Sequence, residues 1–494
     1  MRELSPTIYN TDYHTSESTL YKQMLTEPVL LSKNITYLYG KDSNMFPLLM
    51  NTEGQGLVKS MKPKLLNDTQ YEWPVMGRMK HTDVCCGLVN PAMTAPGIGF
   101  TPFQVIFSTN RFIGQFGVLS PDKQHLCRIQ GEPTQLGANK WKYTFVITGS
   151  NNNEYVSLDN FAEGKVWVMT APSVAGELSD GNRSNRMAPG RMTNQFGFAR
   201  FSQNIAGNIA NKVAIYEFDT EGGGKTNLWM PYEMKNFELD RRLFLETELW
   251  ISKYNRDVNG VITTIDEKTG KPVPKGAGIF EMLELSGNHD TYAAPTLTIA
   301  KLVNTVNAVF GNRVDKTPME IVLYTGAGGL RVFNEALMRD ANSKSYYQKL
   351  GESVIGGDGT YMTYGNYFTQ FRTIDGFLIT VRECNFFNHG LIAEMDRANG
   401  NMIEGFPAFS YNLVFLDHSM NDNGDRNIQL VAEEGRELIT GVYKGMTPLP
   451  AVWNAAVSGN LLSDKRDMAS YEVLMSQGIT MLNNTTSFWL EPEQ

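Results

Sequence analysis

Met319–Ala341, MEIVLYTGAGGLRVFNEALMRDA, decides how the chain is read: an apolar run, a glycine turn and an amphipathic stretch follow one another without a break. Ile321, Leu323 and their neighbours make a run of strand length. Gly326, Gly328 and Gly329 then free the backbone from the limits a Cβ imposes, and Leu330, Phe333 and Leu337 return at helical spacing. Such a unit either cradles a phosphate on the amides of the helix N-terminus or turns a corner in a mixed α/β domain. A dinucleotide fingerprint needs glycine at its first, third and sixth positions; counted from Gly326, Gly328 is third but Arg331 is sixth. A P-loop around Gly224-Lys225-Thr226 fails in the same way, because Asp219 stands where its first glycine belongs.

Composition narrows the classes. With 41% hydrophobic and 19% charged residues the chain is globular, and no apolar run approaches the ~18 residues of a membrane span. Its 494 residues suggest roughly two to four domains, or one with large insertions. A net charge of −8 argues against a dedicated nucleic-acid binder. Cys85, Cys86, Cys127 and Cys384 form neither a disulfide framework nor a zinc knuckle, which fits synthesis in a reducing cytoplasm. The first residues carry no readable targeting signal.

Along the chain, Met1 to about Ser60 is polar and broken by prolines and glycines, an arm expected to lie along other surfaces. Trp141–Thr148 and Lys165–Thr170 are β-type runs. Pro231–Tyr254 is the longest helical signal, about 36 Å at ~1.5 Å per residue. Met234, Phe237, Phe244 and Ile251 share one of its faces and Leu239, Leu243, Trp250 and Tyr254 another, so it reads as a spine buried on two sides, with Glu238 and Arg242 paired at i, i+4. A second helix is expected over Pro295–Phe310 with Gly311 as its stop. Strands are expected over Gly376–Glu383, Tyr411–Leu416, Asn427–Val431, Glu437–Tyr443 and Thr486–Leu490, and a helix over Asp467–Met475.

The search for chemistry yields little. The six histidines include no pair at metal-ligand spacing, and no catalytic constellation or cofactor motif stands out. Asn255–Asp266 reproduces most of a calcium loop, with oxygen ligands available from Asn255, Asp257, Asn259 and Asp266 and Gly260 at the sharp turn. It departs in having Asn first and a short Asp last, and an Asn-Gly hairpin between two strands is the competing reading. Gly181–Arg200 carries Arg183, Arg186, Arg191 and Arg200 with no acidic residue. Its arginines meet acidic groups on a neighbouring copy, belong to a solvated loop, or contact nucleic acid directly.

The order of elements resembles the major capsid protein of tailed bacteriophages, the Hong Kong 97-type fold, and in detail the crAss-like phages. Gln70–Arg78, the Pro231–Tyr254 spine and Pro295–Ala341 carry the resemblance. It implies an α+β fold with an N-terminal arm (1–68), an extended β loop (69–219) holding a β-rich insertion at about 130–219, and a peripheral domain (220–293) around the spine. An axial α/β domain (294–400) and returning strands with a C-terminal segment (401–494) would follow. The function implied is not enzymatic: pentamers and hexamers of an icosahedral virion shell, assembled in the bacterial host cytoplasm. That shell would enclose double-stranded DNA without sequence-specific binding and meet portal and auxiliary or decoration proteins, with no cofactor and no membrane. The competing expectation is a nucleotide- or sugar-handling enzyme using the Gly326–Gly329 turn.

Overall fold

The strand expected in the opening stretch forms at Glu320–Thr325, and its side chains feed two cores by turns. Ile321 and Leu323 enter one, Val322 and Tyr324 the other, and the antiparallel neighbour Leu413–Leu416 divides Leu413 and Phe415 from Val414 and Leu416 in the same way. Burial on both faces explains why these runs are continuously apolar. The computed structural model describes Leu48 and residues 63–77, 79–172, 177, 185–207, 213–219, 225–310, 320–339, 347–349, 370–373, 377–420, 423–446, 460–463 and 465–493. The expected arm, except Leu48, and the Gly311 stop lie outside the described residues.

The chain divides into two compact units, Met1–Trp73 with Met192–Gln494, and Pro74–Arg191. In the larger unit a seven-stranded mixed sheet runs in the order His289–Ala293, Phe488–Glu493, Leu413–Leu416, Glu320–Thr325, Leu378–Glu383, Gln370–Thr373 and Tyr347–Lys349. On one face sit the helices Ile299–Phe310, shorter than expected at its start, and Ala327–Arg339. They bury Leu302, Val306 and Val309, and Leu330, Phe333 and Leu337, against the sheet.

The other face is covered by the spine helix, Trp229–Ile251. Leu245, Leu249 and Trp250 pack there with Phe280 of the helix Ile279–Leu285 and with Ile428 and Ile479, while Met234 and Phe237 pack against Ile205, Val442 and Tyr471. The helix is thus flanked by two cores, as its periodicity predicts. Phe244 and Ile251 depart from that reading, being 53% and 42% exposed. The pairing also shifts: Glu238 Oε2 meets Arg241 Nη2 at 2.6 Å, at i, i+3 rather than with Arg242.

The expected helix at Asp467–Met475 is a strand. Met468–Met481 is the centre of a six-stranded sheet, its first part held between Gly197–Ala206 and Ile439–Lys444 and its last residues paired with Ile428–Val431. Ala, Glu, Leu and Met favour helix in isolation, but partners on both edges and cover on both faces outweigh a propensity worth tenths of a kcal/mol per residue.

Within Pro74–Arg191, six strands close into a barrel, ordered Thr82–Leu88, Phe103–Phe107, Lys140–Ile147, Leu126–Gly137, Gly117–Leu119 and Val166–Ala171. Both expected strands of this region belong to it. The barrel starts well before Gln130, the boundary expected for the insertion, and the unit ends before Asp219. Its core is aromatic: Trp167 is fully buried with the rings of Phe107, Phe145 and Phe161 centred 6.1, 5.8 and 5.5 Å away, and its Nε1–H donates to the Asn160 carbonyl at 3.1 Å. Buried Asp83 accepts four hydrogen bonds at 2.7–3.2 Å, from the Val84 amide, the Ser108 hydroxyl, and the Thr109 amide and hydroxyl. Throughout, the architecture is mixed α/β with strands dominant.

Candidate functional site

The glycine turn is the first place to look for a ligand, and the protein fills it. The Ala327 amide donates to Asn388 Oδ1 at 2.8 Å, the Gly328 amide to Ser410 Oγ at 2.9 Å and the Gly326 amide to the Ser410 carbonyl at 3.2 Å. Ser410 Oγ donates in turn to Asn388 Oδ1 at 2.8 Å, and both side chains are buried. Three amides a phosphate would draw on at the start of the helix, those of Gly326, Ala327 and Gly328, are therefore already bonded within the chain. A Cβ on Gly328 would stand 2.6 Å from the Tyr411 ring, so this glycine serves close packing. The turn is a structural corner, and the enzyme reading loses the feature it rested on.

The calcium-loop candidate folds as a hairpin. Gly260 takes φ +80°, and Arg256 bridges Ile262 across the turn. Asp257 Oδ1 accepts from the Asn259 and Val261 amides at 2.9 and 2.8 Å, and the Val261 contact foremost holds this carboxyl below its ordinary range. Asp266 closes the next turn, accepting from the Thr269 hydroxyl at 2.6 Å and the Lys268 amide at 3.1 Å; the hydroxyl is the main reason its pKa is lowered. Asn255 Oδ1 accepts from Gln195 Nε2 at 2.7 Å and the Lys275 amide at 2.9 Å, and Asn259 Nδ2 approaches Asp257 Oδ2 at 3.5 Å. The four candidate ligands thus bond to protein groups: Asp257 and Asn259 within one turn, Asp266 in the next, and Asn255 to Gln195 and Lys275.

Of the four arginines, Arg200 pairs with Glu472 at 3.3 Å across neighbouring strands, and Arg191 is engaged within its own chain. Arg186 is exposed and has no partner among the described residues. It follows Asn185, whose Nδ2 donates to the Arg111 carbonyl at 2.8 Å and ties the segment down. Arg183 lies outside the described residues.

Sequence reading missed a groove of about 240 Å³ in the larger unit, because five separate stretches build it. Phe280, Ile392, Phe409 and Trp489 wall it, and exposed Met395 forms a lip. Asp396 lines it while only 4% exposed; its Oδ2 accepts from the Phe409 amide at 2.8 Å, and its Oδ1 has no donor among the described residues. At the rim, Glu491 meets His289 at 2.9 Å, and His289 stacks on Trp489 with ring centroids 4.3 Å apart.

One further titratable cluster lies near the spine. Tyr324 OH and His418 Nε2 are 2.9 Å apart, and the imidazole is pushed down to about 4, first by burial and then by the charges of Arg426 and Arg382. Trp250 Nε1–H and the Leu48 amide both donate to the buried Glu246 carboxylate, at 2.8 and 2.9 Å. Among the described residues no group of three or more His, Cys, Asp or Glu side chains is placed to hold a metal ion. No helix among them is long and apolar enough to cross a membrane.

The family model for the Crassvirus major capsid protein matches residues 12–494. The chain belongs to that family. As a Crassvirus major capsid protein it is a structural subunit that forms the shell of a crAss-like phage virion, one copy among many. Among solved structures it is similar to a chain from Mycobacterium phage Patience, at 9% identity, over 66% of this chain and 78% of that one, with a TM-score of 0.33. It is also similar to the capsid of cyanophage P-SCSP1u, at 8% identity, over 66% and 81% of the two chains, with a TM-score of 0.30. The holo-SrpI encapsulin of Synechococcus elongatus PCC 7942 gives 8% identity, 63% and 77% coverage and a TM-score of 0.29. No curated protein matches the chain.

Proposed function

We propose that this capsid subunit adopts the Hong Kong 97-type fold and assembles into pentamers and hexamers of an icosahedral shell around the packaged double-stranded DNA of a tailed phage. The observation that carries the reading is the family match from residue 12 to residue 494, nearly the whole chain. In this reading the polar N-terminal segment is an arm reaching along neighbours and the barrel unit is the insertion of the extended loop. The spine helix anchors the peripheral domain, and the seven-stranded sheet with its two helices contributes to the axial domain. Assembly takes place in the host cytoplasm, with portal and auxiliary proteins as partners.

The acidic balance fits a container. A net charge of −8 releases few counterions from DNA, so an inner wall of such subunits holds its cargo without gripping it. Arg186, the described arginine of Gly181–Arg200 not engaged within its own chain, then serves a contact between copies rather than phosphate binding. The test is negative-stain electron microscopy of the expressed chain beside sedimentation. Rings, tubes or shells are expected; a uniform monomer or dimer at every concentration, with or without scaffolding protein, would refute the proposal.

A further inference from the structure

The groove beside the spine helix holds a feature that a finished surface does not need. Asp396 is 96% buried as a residue, and a carboxylate in such surroundings is held at low cost only when its oxygens are hydrogen-bonded, paired or reached by water. Asp396 Oδ2 has the Phe409 amide at 2.8 Å, whereas Oδ1 has no donor among the described residues and is not sealed from solvent, so water or a partner can reach it, and the residue lines the cavity. Its surroundings are apolar and aromatic, with Phe409 and Trp489 as walls, and Glu491 adds a second acidic group at the rim. Such a site fits one kind of occupant: a side chain with an apolar stem and a cationic, planar head. The stem covers the aromatic walls, and the guanidinium satisfies the carboxylate with directed bonds. Lysine fits less well, because its ammonium is a compact, strongly hydrated charge.

The chain supplies such a group elsewhere. Within the acid-free stretch Gly181–Arg200, Arg200 and Arg191 are engaged in their own chain, while Arg186 is exposed without a partner among the described residues and is tethered by Asn185. We propose that the Asp396 groove of one copy receives Arg186 of a second copy. The inference rests on the shell reading and names the acidic group its arginines meet. Groove and arginine belong to different units of the chain; where each copy fills the groove of the next and its own groove is filled by another, the contact is heterologous, the pattern that closes into rings.

The test replaces exposed Met395, at the lip, by p-benzoylphenylalanine and irradiates assembled particles of the full chain. A cross-linked peptide containing Arg186 is expected. Particles that cross-link to any other peptide, or not at all, overturn this contact and leave the shell reading standing; a chain that never forms multimers sinks both. Asp396→Asn is the second arm, since its amide oxygen can still accept from Phe409. It should raise the concentration needed for assembly roughly tenfold, the scale of one lost charge-assisted bond, with an unchanged melting temperature. An unchanged threshold in Asp396→Asn overturns the proposal, and the cross-link decides it if that variant does not fold.

Discussion

Gly328→Ala sets two effects of similar size against each other. Alanine in place of glycine favours a helix by up to about 1 kcal/mol, and less in the first turn, where Gly328 lies. Against that, its Cβ would stand 2.6, 2.8 and 2.9 Å from three atoms of the Tyr411 ring. The ring has no room to yield: Tyr411 is fully buried, its hydroxyl donates to the Ile403 carbonyl at 2.9 Å, and its own carbonyl accepts from Tyr292 at 2.6 Å. Overpacking of this kind costs about 1–3 kcal/mol, so the clash wins and the net loss should be about 1–2 kcal/mol. The chain has two compact units, so a single global unfolding midpoint would blur the effect. Hydrogen exchange of peptides covering Ile321–Leu337 reads it locally, and roughly tenfold faster exchange is expected. Arg331→Ala, at an exposed ion pair of the same helix, should change exchange little. Slower exchange in Gly328→Ala would refute the reasoning, because it would mean that the turn has space and propensity governs.

Three other outcomes follow from the same contacts. His418 stays neutral in the fold down to about 4 but takes a proton near 6.5 when unfolded, so its contribution is lost as pH falls from 6.5 to 4; exchange over Leu413–Leu416 should accelerate across that window, less so in His418→Gln. Burial and then Asp240 push the Glu233 carboxyl up to about 7, so its ionisation opposes folding as pH rises from 4.5 to 7; Glu233→Gln should increase exchange protection of the Trp229–Ile251 helix, relative to the unchanged chain, at pH 8 and leave it equal at pH 4. Trp167→Ala empties the barrel core at a cost of about 3–5 kcal/mol; limited proteolysis should then cut within Pro74–Arg191 while exchange at Glu320–Thr325 holds.

The sequence was most legible where local pattern and tertiary role agree. Glu320–Thr325 and Ala327–Arg339 could be placed because a continuous apolar run, a glycine turn and helical spacing survive in the fold unchanged. Met468–Met481 could not, because strands on both edges and cover on both faces erase the period-two signal, leaving only helix-favouring residues to read. The partners of the turn were equally hidden. Asn388 and Ser410 lie 61 and 82 residues from the amides they hold, and nothing local marks either as a cap. The Asp396 groove is assembled from stretches as distant as Ile251 and Pro492, so no spacing rule reaches it. Arg186, by contrast, was visible as part of an acid-free basic stretch; what sequence withheld was which of those arginines stays unpaired.

A strand order that returns to its own beginning also bears on life inside a particle. A shell keeps identical subunits side by side for as long as the virion persists, at local concentrations where open sheet edges invite fusion between chains. The closed turn of the barrel in Pro74–Arg191 offers no such edge, since each of its strands has a partner on both sides there; only the far end of Leu126–Gly137, from Thr134 on, is paired on one side among the described residues. Around that closed turn, cohesion between neighbouring barrels falls to side chains, which can be separated and rejoined, so subunits can correct their placement without becoming welded to the wrong neighbour.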